Sequence, residues 1–300
     1  MSAASLQLLD PASVARLGSL EVAARFLVDG FIKGLHFSAR KGSSIEFAEH
    51  RAYVPGDEVR RIDWRTFGRT DRFYLKEYED ETNLRAALIV DASASMGFGT
   101  TGISKLRYAE LLAGALGYLL LGQRDAVGLA VVADSVRRYV PAKATPEHLA
   151  GIFRALEGTS AAGTTRLADC IHRLAGRVRR RSFVSVISDF LDDPRAVLKS
   201  LANLRHRGAE VILFHILDPA EEEFPFTNWT VFEDSEDPSS RIRMDARQVR
   251  ETYLENLAEH IRLLRTGSLG LGVDYARFST RVPFEEALAT YLEARAKRRR

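Results

Sequence analysis

The sequence predicts an α/β protein whose mostly parallel sheet carries helices on both faces, preceded by an accessory segment with extended strands. Two observations carry this. From Arg85 onward, continuous apolar runs (AALIVD, AVGLAVVAD, SFVSVISDF and AEVILFHILD) alternate with helical stretches, and strands that are apolar at nearly every residue are those covered on both faces. Before Arg85 the alternation is absent: Lys33 to Asp80 is polar, aromatic and punctuated by glycine.

In order along the chain, Asp10 as N-cap and Pro11 at the first helical position open a helix that continues through ASVARLGSLEVAARFLVDGF. RFYLKEYE alternates as a short strand would. After the strand ending at Asp91 come the helical stretches SKLRYAELLAGALGYLLLG, PEHLAGIFRALEG, TRLADCIHRLAGRVRR and PRAVLKSLANLRHRG. Thr145-Pro146 and Asp193-Pro194 repeat the cap-then-proline start, and Gly208 stands where a helix ends. TVFEDSEDPSSRIRMD reads as a hairpin with a long polar turn, DARQVRETYLENLAEHIRLLRTG as a helix, VDYARFST as a last strand and PFEEALATYLEARAKRRR as a closing helix. The expected division is therefore 1–84 for the N-terminal helix and accessory segment, 85–282 for the α/β domain with a hairpin-like insertion near 228–245, and 283–300 for the C-terminal helix and basic tail.

Composition narrows the function classes. At 46% hydrophobic and 28% charged, with a formal net charge of +3 over 300 residues, the chain is an ordinary globular protein without the basic excess of a nucleic-acid binder. RVRRR (Arg177 to Arg181) is expected to end a helix, where cations complement the dipole. Cys170 is the single cysteine, which removes any internal disulfide and points to a reducing compartment. The N-terminus lacks the pattern of a signal peptide, and Leu111 to Gly122 is about half the length of a membrane span, so the expectation is a cytoplasmic protein with no membrane segment.

Asp91 to Gly102 reads DASASMGFGTTG and holds two overlapping signatures. GFGTTG has the spacing of a dinucleotide loop, but its first glycine lies beyond the strand end, Asp91 would repel a pyrophosphate, and no acid stands at the tip of the second strand about 20 residues on. A nucleotide cofactor is therefore not expected, and the glycines read as a flexible turn. DASAS offers the hydroxyls of Ser93 and Ser95 beside the carboxylate of Asp91, oxygen donors of the kind a hard ion such as Mg²⁺ prefers. Other enzyme signatures are missing: Ser93 replaces the second aspartate of a haloacid-dehalogenase phosphatase, no G-x-S-x-G elbow occurs, and the histidines lack zinc spacing, His172 and His206 reading as helix-surface residues. A Mg-dependent phosphoesterase or nuclease using Asp91 and Asp189 is the alternative reading.

AALIVDASASMG resembles the metal-ion-dependent adhesion site of von Willebrand factor A domains, which pairs D-x-S-x-S with a threonine in a glycine-led loop and an aspartate after a later strand. AGTTRLADCI matches the threonine loop and selects Thr165 over Thr164; VSVISDF selects Asp189. The resemblance implies a von Willebrand A-like fold and an Mg²⁺ (or Mn²⁺) site of Asp91, Ser93, Ser95, Thr165 and Asp189, completed by an acidic side chain from a protein partner.

Upstream, R-x-Y-x-P-G-D-E-x-R-x-I-D-W runs from Arg51 to Trp64. Pro55-Gly56 sets a turn, after which Arg51 is expected to meet Asp57 or Asp63 and Trp64 to anchor the segment. Tyr53, Gly56, Asp57, Arg60, Asp63 and Trp64 read first as a structural brace and second as a partner-binding motif. The block resembles the bacterial domain-of-unknown-function family fifty-eight, with Glu58 where an aspartate is usual. That resemblance implies a partner among MoxR-type AAA+ ATPases, while cation ligands without a recognisable nucleophile, base or cofactor loop point to an adaptor rather than an enzyme.

Overall fold

The computed structural model describes residues 10–39, 51–52, 74–75, 84–237 and 239–298. Phe31 and the residues before it group with those from Leu84 onward, whereas Ile32–Asn83 form a second unit. In the second unit Arg51–Ala52 (β1) pairs antiparallel with Tyr74–Leu75 (β2), the latter inside the predicted RFYLKEYE strand.

The N-terminal helix is broken. Pro11–Ala15 (α1) is capped by the Asp10 carboxylate, which accepts from Ser13 N at 3.0 Å. Leu20–Ala39 (α2) starts anew because Ser19 and Glu157 take its first amides: Val22 N donates to Ser19 Oγ at 3.3 Å and Leu20 N to Glu157 Oε1 at 2.6 Å.

Arg85–Asp91 (β3) leads through a 3₁₀ turn, Ala94–Gly97, to Lys105–Gly122 (α3). Ala126–Val132 (β4) and Val136–Lys143 (β5) follow, then Pro146–Glu157 (α4), Leu167–Ala175 (α5) and Phe183–Ser188 (β6). Pro194–His206 (α6), Glu210–Leu217 (β7), Pro219–Glu223 (α7) and the hairpin Trp229–Glu233 (β8) with Arg241–Asp245 (β9) come next. Ala246–Gly270 (α8), Asp274–Ser279 (β10) and Phe284–Arg298 (α9) complete the chain.

The main sheet has the order β10-β7-β6-β3-β4-β5, parallel throughout except for β5. This is the mostly parallel α/β sheet with helices on both faces that the sequence predicts. Alternation along the strands feeds two cores. Leu88 and Val90 of β3 join buried residues of α2, α3, α4 and α9 on one face, while Ile89 joins those of α5, α6 and α8 on the other. Leu111, Leu112, Leu116 and Leu120 are buried in the first core, which is where the apolar run after Leu111 spends its hydrophobicity. Among the described residues no helix is long and apolar enough to cross a membrane.

Elements not read from the sequence are β1, the 3₁₀ turn, β5, whose residues are largely exposed, and the five-residue α7. Asp193 caps α6, donation coming from Arg195 N at 3.1 Å, but the Thr145 side chain makes no capping bond to α4. The RVRRR run begins after α5 has ended at Ala175, its first amide donating to Leu174 O at 2.8 Å, and the Arg177 guanidinium lies over the Tyr139 ring at 4.8 Å.

Because Leu27 of α2 is fully buried in the α3-side core, Leu27→Ala should lower the unfolding free energy of the whole α/β unit by about 2–5 kcal/mol. A urea titration followed by circular dichroism checks this. An unchanged midpoint would mean that the helix is not part of the core.

Candidate metal centre

The parallel ladder delivers three segments to the carboxyl edge of the sheet, the place where open α/β sheets hold ligands. Asp91, the last residue of β3, is 1% exposed. Its Oδ1 accepts from Ser93 N at 2.9 Å and its Oδ2 from Ser188 Oγ at 2.6 Å. Backbone bonds then draw the threonine loop onto DASAS: Ala162 N donates to Ala92 O at 3.0 Å and Ala94 N to Gly163 O at 3.0 Å. The Arg137 guanidinium braces the same loop by donating to Ala162 O at 2.7 Å. Ser93 and Ser95 are buried with their hydroxyls 3.2 Å apart. Thr165 Oγ1 is buried without a hydrogen-bond partner, whereas Thr164 is exposed. Asp189, immediately after β6, is fully buried, and the Ser95 hydroxyl helps hold its charge. The five predicted residues thus gather at one edge.

A cation already stands at this edge. Lys105, in the first turn of α3, is fully buried and donates to Asp189 Oδ2 at 2.8 Å and Glu221 Oε1 at 2.5 Å. Burial opposes the charge of Asp189, but the Lys105 ammonium outweighs it and holds the carboxyl below the usual range. Asp91 has no such counter-ion: burial, and then repulsion from Asp189, push its carboxyl up to about 6. Burial also raises Glu221 despite Lys105. His215 on β7 is buried with Nδ1 2.6 Å from Tyr275 Oη, and burial pushes it down to about 3, so it stays neutral and supplies no charge to the site.

The glycine signature is structural. Thr100 N donates to Asp218 Oδ2 at 2.8 Å, Thr100 Oγ1 to Asp218 Oδ1 at 2.5 Å, and Thr101 and Thr280 hydroxyls meet at 3.1 Å. A carboxylate therefore occupies the amide that a phosphate would need. The turn is fastened rather than flexible, and Gly99 is required by packing: a Cβ there would lie 2.3 Å from Ile103 O.

Whether the residues suit a divalent ion is decided by their donors. Among the described residues no group of three or more His, Cys, Asp or Glu is placed to hold a metal. The edge instead offers hydroxyl oxygens and two carboxylates, with one buried hydroxyl unsatisfied and one carboxyl destabilised in its charged form. Both features are what a hard oxygen-seeking ion relieves. Sequence reasoning missed Lys105, Glu221 and Ser188, and also Glu236, whose Oε1 accepts from Thr165 N at 2.7 Å. A lysine at the head of the long, mostly apolar helix that follows DASAS was the legible signal for the first. Of the upstream block, Arg51 is described only as a strand residue, and Tyr53, Gly56, Asp57, Arg60, Asp63 and Trp64 lie outside the described residues. His172 and His206 are exposed on α5 and α6 as expected.

Two outcomes follow from this balance. Holding Asp91 at about 6 instead of 3.8 costs its charged form about 3 kcal/mol at neutral pH. Asp91→Asn should therefore stabilise the metal-free protein at pH 7. The folded pKa is raised, so the gain is present above about pH 6 and disappears as pH falls toward 3.8, where the wild-type carboxyl is neutral too. Chemical denaturation of both proteins at several pH values in EDTA measures it. Lys105→Met, which strips two buried carboxylates of their partner, should cost about 3–5 kcal/mol in the same assay.

Comparison with known proteins places the chain. Residues 49–262 match the family described as "Protein of unknown function DUF58". An uncharacterized protein of Mycobacterium tuberculosis, Rv1480, is 31% identical over 254 residues, covering 84% of this chain and 80% of the relative, and the Mycobacterium bovis protein Mb1516 matches to the same extent. Among solved structures, BatB from Bacteroides thetaiotaomicron is similar at 17% identity and a TM-score of 0.48, over 71% of this chain and 99% of that one. The SpRpn10 VWA domain is similar at 10% identity and a TM-score of 0.39, over 69% and 93%. The family match spans well over half the chain, and the chain belongs to the DUF58 family.

Proposed function

We propose that this protein is a protein-interaction module that binds a divalent cation, Mg²⁺ or Mn²⁺, and docks on an acidic residue of its partner. The observation that carries the reading is the buried, unpartnered Thr165 Oγ1 on the loop that bonds to DASAS, together with paired serine hydroxyls and a carboxyl held at about 6. Asp91, Ser93, Ser95, Thr165 and Asp189 would hold the ion. Once bound, it would supply positive charge where the chain has a surplus of negative charge, and so attract a further carboxylate in a partly desolvated cleft.

The chain's own groups favour docking over turnover. Asp189 is committed to Lys105, which leaves it unsuited to take a proton, and Asp91 is occupied by Ser93 N and Ser188 Oγ. The resemblance of the upstream block suggests a MoxR-type AAA+ ATPase as the partner, with this protein coupling it to assembly or remodelling of a client in the cytoplasm.

Mg²⁺ should raise the melting temperature of the wild type, since an ion that binds only the folded state stabilises it. Asp91→Asn should abolish that rise. In a pull-down, the ATPase should be retained with Mg²⁺ and lost with EDTA or with Asp189→Ala. Equal recovery in all conditions would remove the metal from partner binding, and a melting temperature indifferent to Mg²⁺ would leave the cluster as a hydrogen-bonded cap.

A further inference from the structure

The hairpin formed by β8 and β9 is a separate two-stranded sheet inserted between α7 and α8. Its root is fixed: Phe224, Phe226 and Phe232 pack with centroids 5.2–5.8 Å apart, the Tyr253 ring of α8 lies tilted against Phe224 at 4.8 Å, and Ala246 N donates to Asn228 O at 3.2 Å. Its tip is acidic, with Glu233, Asp234, Glu236 and Asp237. The turn shapes itself through Glu236 N donating to Asp234 Oδ1 at 2.8 Å and Asp234 N donating to Ser240 O at 3.0 Å.

This turn sends Glu236 back across 71 positions of chain to Thr165 N, at 2.7 Å. Thr165 is the residue whose own hydroxyl is buried and unsatisfied. A carboxylate on a projecting strand turn therefore already sits against the threonine loop, whose neighbouring charges are Arg137 and Arg166, with Asp134 beside Arg137 at 3.5 Å.

We propose that Glu236 is the chain's own occupant of the position that an acidic partner residue takes, so that an outside carboxylate enters the cleft by displacing the hairpin tip. The proposal rests on the reading that the cleft receives a partner's carboxylate, and it defines the partner's chemistry as an acidic residue on an extended turn. A tethered group competes at an effective concentration in the millimolar range. The apparent affinity of any outside acidic segment is reduced by the fraction of molecules with the tip in place. Glu236 is exposed and outside the core, so the in-cis contact can be removed without disturbing the fold.

The probe is a fluorescein-labelled synthetic peptide of residues 230–244, titrated by anisotropy into the full chain, wild type and Glu236→Ala, in Mg²⁺ and in EDTA. The variant should bind the peptide at least about 10-fold more tightly than the wild type in Mg²⁺. Exchange of the Thr165 amide proton, followed by NMR, should be about 10-fold faster in the variant, because its acceptor is gone. Equal peptide affinity for the two proteins, absence of binding to either, or unchanged Thr165 exchange overturns the proposal. If the variant gains affinity equally in Mg²⁺ and EDTA, the in-cis contact stands and the metal reading falls. If both proteins bind equally in Mg²⁺ and neither binds in EDTA, the metal reading stands and the role of Glu236 falls.

Discussion

Lys105 carries its charge fully buried between Asp189 and Glu221, and the carboxyl end of the sheet is arranged around satisfying it. Taking an ammonium out of water costs several kcal/mol even after relaxation, so it persists only where carboxylates are held in place by other bonds. Asp189 is positioned by the end of β6, with Leu191 N donating to its Oδ1 at 3.3 Å. Glu221 is positioned by α7, where its second oxygen accepts from Asp218 N at 2.8 Å in a capping box. Asp218 in turn holds the Thr100 loop. One chain of charge-assisted bonds therefore runs from the glycine loop through α7 to the candidate metal residues.

The same arrangement leaves the two aspartates in different states. Asp189 is neutralised by a resident cation, while Asp91 faces it across the edge with hydrogen-bond donors but no counter-charge. Lys105 is shared with Glu221, so an ion entering here would meet three carboxylates against one ammonium, Asp91 being the one with no cation on it.

Much of this was legible in the sequence, and the parts that were not have physical reasons. Strands buried on both faces declare themselves by unbroken apolar runs, so β3, β4, β6 and β7 were plain. β5 was not, because an exposed edge strand with Arg137, Arg138 and Pro141 lacks both the apolar run and the clean alternation. D-x-S-x-S with Thr165 and Asp189 could be read because each residue keeps its order along the chain and a fixed relation to a strand end. Lys105, Glu221 and Glu236 could not be paired from sequence, since their partners lie 84, 116 and 71 positions away and only the folded sheet edge brings them together. The break between α1 and α2 was hidden because Glu157, which takes the first amide of α2, comes from a helix far along the chain.

The antiparallel return of β5 has a consequence for how copies of this chain meet one another. An outermost strand with free amides invites a second molecule to extend the sheet, and unprotected edges of that kind lead to fibres and aggregates. Here the last strand runs against its neighbours, its register against β4 is interrupted twice, Pro141 offers no amide, and Arg137 and Arg138 bring two positive charges. These features disfavour growth by strand addition along that margin.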